Sequence, residues 1–233
     1  MSGIRRAMWV LASVMVMAGC QSAAVLRQQG MDAYRAKDYA TSKAKFGQVA
    51  DANPADWKAQ WYLGKVALAE GDANTARMHL EQAYTLRGHG RAWESETADI
   101  LDDLTAAILA QGDRARCVSV CDEAIRNFGK ARDYMRKGDV LVKLGDADAA
   151  VTAYLQAAKI AGATDATPYR KLADMYEQAG VKQQALDMLR VASWIEPRNP
   201  EIQEQIRRLG DVPGPTFMRP PAQPAESEAE KGQ

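Results

Sequence analysis

The sequence predicts an all-α protein made of repeated helix pairs, and three observations carry that prediction. Alanine supplies 42 of the 233 residues, and alanine is the least costly residue in a helix and a poor one in strands. A turn signal recurs at Lys37-Asp38-Tyr39, Gly71-Asp72-Ala73, Gly112-Asp113-Arg114, Gly145-Asp146-Ala147 and Gly180-Val181-Lys182, at intervals of 34, 41, 33 and 35 residues. Helix-start signals fall between these turns at Asp56 before Trp57 and Thr167 before Pro168, and after the last of them at Asn199-Pro200-Glu201. Hydrophobic residues make up 47% of the chain, enough for a packed core, so disorder over the whole length is excluded.

Each element of the repeat has a physical reason. Seven residues before each turn stand Gly30, Gly64, Thr105, Gly138 and Ala173, and five after it stand Ser42, Ala76, Cys117, Ala150 and Ala185. These small side chains let two helix backbones approach closely. Nine after come the bulkier Phe46, Leu80, Cys121, Tyr154 and Leu189, expected to fill the groove toward the next pair. Twelve after come Val49, Ala83, Ala124, Ala157 and Ala192, and seventeen after come Pro54, Gly88, Gly129, Gly162 and Pro197, which end helices. The long interval carries an insertion, Gly88 to Thr97, with Trp93 as a candidate contact and His89 expected to face solvent.

This register resembles the tetratricopeptide repeat over residues 23–197, and its fifth unit, from Tyr169 to Pro197, is the most complete. The resemblance implies a right-handed solenoid of about five helix-turn-helix units. A solenoid exposes the apolar face of its last pair, and residues 198–210 read as a capping helix over it. From Asp211 to Gln233 the chain is rich in Pro and Glu without an apolar period, and is expected to be a disordered tail.

The N-terminus reads as a processing signal. Arg5 and Arg6 precede an apolar run from Ala7 to Met17, which is shorter than the roughly 20 residues of a membrane span. Met17-Ala18-Gly19-Cys20 resembles a bacterial lipobox, although leucine is usual where Met17 stands. The resemblance implies removal of residues 1–19, lipidation (palmitate included) at Cys20, a short tether over 20–22, and, with Gln21 rather than Asp next, sorting to the outer membrane facing the periplasm. Ser22 is then a helix N-cap close to the anchor, and Arg27 and Arg35 are expected near the lipid headgroups.

Composition leaves little room for catalysis. Thirty basic and thirty acidic residues cancel, which argues against a basic nucleic-acid surface. Two histidines and three cysteines form no metal-ligand pattern, and Cys117 and Cys121 occupy packing slots of the register. No nucleophile–base pair or glycine-rich phosphate loop is present, so no enzyme activity, cofactor, metal or small-molecule substrate is expected.

In tetratricopeptide proteins the first helix of each pair lines a concave groove that takes peptides. By that resemblance the partner-binding groove falls on Arg27, Met31, Trp61, Lys65, Asp102, Ala106, Met135, Asp139, Arg170 and Asp174, with Trp61 as an exposed aromatic anchor. These helices supply no asparagine on that face, so recognition of an acidic chaperone C-terminus through a carboxylate clamp is not expected. The implied function is a membrane-anchored periplasmic scaffold or adaptor for a protein partner. It would support an envelope machine such as a pilus or secretion apparatus, with an adaptor for cell-wall enzymes or a plain structural spacer as alternatives.

Overall fold

The structure, a computed structural model, describes residues 22–87 and 95–221. These residues form eleven α-helices and, among them, no strand. The lipobox with Cys20, and His89 and Trp93 in the insertion, lie outside the described residues. The chain divides into two compact units, Met1–Gly90 and Arg91–Gln233.

The N-terminal unit holds two helix pairs, α1 (Ala23–Arg35) with α2 (Tyr39–Ala52), and α3 (Trp57–Ala69) with α4 (Ala73–Arg87). Ser22 caps α1 as expected, accepting from the Val25 amide at 3.4 Å. Asp38, Asp56 and Asp72 cap the next three helices, each accepting from an amide three residues on at 3.0 Å. Hydrogen bonds from the side chains of Thr41 and Thr75, and then from their amides, hold the Asp38 and Asp72 carboxyls below the usual carboxylate range. The helix-ending residue of the second pair, Gly71, takes a left-handed φ of 79°, whereas the first pair must place Lys37 there at φ 60°. A side chain in that region costs backbone strain that glycine avoids.

Packing inside the pairs follows the register with one addition. A Cβ added to Gly30 would lie 2.7 Å from the Phe46 ring, and one on Gly64 would lie 2.5 Å from Leu80. The bulky residue nine after the turn therefore sits on the glycine of its own pair, and Phe46 also reaches the next pair as expected, its ring stacked on Tyr62 at 4.6 Å. Glycine is required there because no other residue lets the ring or isobutyl group reach the helix backbone. Ser42 joins the same contact by donating to the Gly30 carbonyl at 3.0 Å. Phe46 and Val49 are fully buried with Leu26, Ala59 and Leu63, and full burial of a residue such as Phe46 contributes roughly 1.5–3 kcal/mol.

The C-terminal unit holds α5 (Ser95–Ala110) with α6 (Arg114–Asn127), α7 (Ala131–Leu144) with α8 (Ala147–Ala161), α9 (Thr167–Gln178) with α10 (Lys182–Ile195), and α11 (Pro200–Arg208). The last three residues of the expected insertion, Ser95 to Thr97, already belong to α5. Gly138 repeats the close contact, its added Cβ 2.3 Å from the Tyr154 ring. Cys117 and Cys121 are fully buried, with the Cys117 thiol 3.6 Å from the Thr105 carbonyl. At α9 the expected cap shifts by one residue: Thr167 is the first helical residue, and Asp165 accepts its amide at 2.8 Å. Asn199 caps α11, and Ile202 and Ile206 of that helix are buried in one cluster with Leu186 and Leu189.

The segment expected to be unstructured from Asp211 behaves differently over its first part. Phe217 is buried in the same cluster, the Arg190 guanidinium lies 5.1 Å from its ring centre, and the Arg219 amide donates to the Arg190 carbonyl at 3.1 Å. One aromatic among prolines is enough to dock this stretch, because α10 still offers apolar surface that α11 leaves uncovered. Residues 222–233 lie outside the described residues.

Candidate partner-binding faces

In the N-terminal unit the candidate residues of α1 and α3 do not form an open apolar groove. Trp61, expected to be exposed, is only 8% exposed. Its ring lies 6.2 Å from that of Trp57 and 5.6 Å from that of Tyr62, which in turn stacks on Phe46 at 4.6 Å. Met31 is half-buried against the core of the same unit. Arg27 reaches Asp56 at 3.3 Å, so the first candidate cation is paired within the unit. Lys65 rests among three rings, 5.0 Å from Tyr34, 5.0 Å from Trp61 and 5.4 Å from Tyr62. Sequence reasoning missed Tyr34 and Tyr62, although their spacing of 28 residues, close to one repeat, was available as a signal.

In the C-terminal unit the candidate residues line two cavities. One, of about 210 Å³, lies between α5 and α7 and is bordered by Asp102, Ala106 and Met135. The other, of about 380 Å³, lies between α7 and α9 and is bordered by Asp174, Met175 and Val142, the last 43% exposed. Asp139 and Lys143 border both. Arg170 borders neither; it pairs with Glu201 of α11.

Most charges on these faces are tied to the neighbouring pair. Arg132 meets Asp99 and Asp102, and Arg136 meets Asp102 at 2.5 Å. Arg136 is 4% exposed and also binds Asp133, which is fully buried, at 2.9 Å, and donates to the Ala98 carbonyl at 3.1 Å. Asp139 accepts from Tyr154 Oη at 2.6 Å and from Lys171 Nζ at 2.8 Å. Burial and that bond to Asp139 push the Tyr154 hydroxyl well above its usual range. Gln205 donates to Asp174 and Glu177, and Arg208 also holds Glu177. The side-chain contacts from one pair to the next span 28 to 34 residues, about one repeat, and opposite charges at that spacing on first helices were the legible signal for Lys171. Nothing local marked Asp133, which reads as a first-turn acid capping α7.

The remaining chemistry is limited. Burial raises the Cys117 thiol to about 11 and the Cys121 thiol to about 12, so both stay protonated at neutral pH and are poor nucleophiles and ligands. Among the described residues no group of three His, Cys, Asp or Glu side chains could hold a metal ion. No helix among them is long and apolar enough to cross a membrane.

A tetratricopeptide repeat family model matches residues 131–164, which are α7 and α8 with their flanking turns. Several solved structures share the fold. A thermophilic tetratricopeptide protein of Thermus thermophilus is 19% identical, with a TM-score of 0.57 over 81% of this chain and 98% of that one. The pilF protein of Pseudomonas aeruginosa is 14% identical, with a TM-score of 0.59 over 80% of this chain and 82% of that one. PilW, a widely conserved type IV pilus biogenesis factor, is 14% identical, with a TM-score of 0.59 over 83% and 88%. No curated protein sequence matches the chain. The fold is that of the tetratricopeptide solenoids, and the chain is a protein containing tetratricopeptide repeats.

Proposed function

We propose that this chain is a scaffold that holds another protein against the first-helix faces of its repeats, anchored to the membrane through lipidated Cys20 and facing the periplasm. The observation that carries this reading is the pair of adjoining cavities on α5, α7 and α9. There Val142 and Met175 present apolar surface between Asp139, Lys143 and Asp174, a mixture suited to a protein segment with one apolar anchor and flanking polar groups. The fold shared with pilF and PilW supports placing the partner in a pilus or secretion apparatus. The lipobox-like Met17-Ala18-Gly19-Cys20 supports the anchor.

Capture from solubilised membranes tests the reading, using the full chain with a photo-crosslinking residue at Val142. A discrete crosslinked partner is expected, lost when Met175 is changed to Glu, and absence of any crosslink would overturn the docking assignment. Cys20→Ser is expected to release the chain from the membrane fraction, and unchanged fractionation would refute the anchor. One observation favours the spacer alternative: most charges on these faces are already bound by the neighbouring pair. A spacer would give no crosslink at Val142.

A further inference from the structure

The cation at the centre of the N-terminal unit's ring cluster differs from its counterparts. Arg27, Arg132, Arg136, Arg170 and Lys171 each reach a carboxylate. Lys65, like the exposed Lys143 of α7, reaches none among the described residues, but Lys65 is held instead by the ring faces of Tyr34, Trp61 and Tyr62. Helix α3 itself, WKAQWYLGKVALA, holds two lysines and no acid. Glu70, which follows it, is engaged by Lys43 at 2.9 Å, and Asp56, which precedes it, by Arg27.

Ring faces attract an ammonium but leave its conventional hydrogen bonds unmade, and an ammonium carries three donors. The rings also do something a solvated lysine lacks. They order a side chain whose rotamer freedom is otherwise lost on binding, and that loss is a main cost of using lysine in an interface. A half-buried, pre-ordered cation without a carboxylate is complementary to an incoming anion. We propose that Lys65 is the anion contact of the N-terminal unit, taking a side-chain carboxylate from an acidic segment of the partner protein. This rests on the first-helix faces being the docking surface.

The test uses the full chain and a fluorescently labelled octaglutamate peptide as probe, read by anisotropy at low salt, with octaglutamine as the uncharged control. Wild type is expected to bind octaglutamate, more weakly as salt rises, and not octaglutamine. Lys65→Met is expected to weaken binding about three- to tenfold, in line with loss of one charge-assisted bond, and Lys65→Arg to restore it to within about twofold. Tyr34→Leu, which leaves the charge but opens the collar, is expected to weaken binding by less. Should Lys65→Met fail to fold, Lys65→Gln serves in its place, with the melting curve as the check. Equal binding by wild type and Lys65→Met, loss on Lys143→Met instead, or equal binding of octaglutamine would each overturn the proposal. So would binding of anionic phosphatidylglycerol vesicles with no binding of octaglutamate. The Val142 crosslink separates this from the docking reading: a crosslink that persists alongside a failed octaglutamate result sinks the anion contact alone.

Discussion

The two units solve the same packing problem with different chemistry. In the N-terminal unit the first helices are joined by rings: Tyr34 of α1 meets Tyr62 of α3 edge-on at 5.7 Å, and Lys65 sits among them. In the C-terminal unit they are joined by charges, with Arg132 and Arg136 of α7 on Asp102 of α5, and Lys171 of α9 on Asp139 of α7. Aromatic contacts carry no net charge and are little affected by salt, whereas the half-exposed pairs of Arg132 and Lys171 are screened by it, and the buried Arg136–Asp133 pair is costly to break on one side only. The difference teaches that a shared repeat register leaves the contact between repeats open, and that each unit fills it with whatever its first helices carry.

The largest expected effect breaks the charged joint. Arg136→Met strands the buried Asp133 carboxylate and should cost about 3–5 kcal/mol of stability, read by denaturant unfolding. Arg136→Met combined with Asp133→Leu should recover much of that loss, and a single mutant as stable as wild type would show that Asp133 finds another partner. Next come the helix contacts. Gly138→Ala drives a methyl into a Tyr154 ring that is also tied to Asp139, while Gly64→Ala meets the more flexible Leu80. Both should destabilise by about 1–3 kcal/mol, with Gly138→Ala the costlier, and the reverse order would show that the hydrogen-bonded ring yields more easily than the leucine.

Smaller effects should stabilise. Four of the five repeat turns place a capping Asp before the second helix, but at the fifth Val181 offers no side-chain bond. Val181→Asp should gain about 1 kcal/mol in the C-terminal unit, seen as a raised melting temperature. In the N-terminal unit Lys37 holds the left-handed position that glycine holds in the other four turns. Lys37→Gly should gain about 0.5–1 kcal/mol or less, since relief of strain is partly offset by the added freedom of the unfolded chain. A loss of stability there would mean that Lys37 makes a contact worth more than its strain.

How much was legible depends on how far apart the interacting residues lie. The glycine–bulky pairs Gly30–Phe46, Gly64–Leu80 and Gly138–Tyr154 were readable because 16 residues and one turn separate their members. Their direction was not: spacing alone did not say whether the bulky residue faces its own pair, the next or both. The burial of Trp61 was unreadable for the same reason, since the position looks exposed until Trp57 and Tyr62 are placed around it. Phe217 was hidden by composition, because prolines on either side suggested a segment with nothing to pack.

What the sequence by itself determined is the helix pair: turn residues, caps and small side chains act within about seventeen residues, where the chain's own connectivity brings the partners together. What only the tertiary structure decided is which side chains meet across pairs. Arg136 reaches the carbonyl of Ala98, 38 residues away, and Lys171 reaches Asp139, 32 residues away. A turn or two of rotation between neighbouring helices would change those partners without altering any local signal. Local propensity carries no information about that rotation, which the packing of glycine against ring, and of charge against charge, settles jointly.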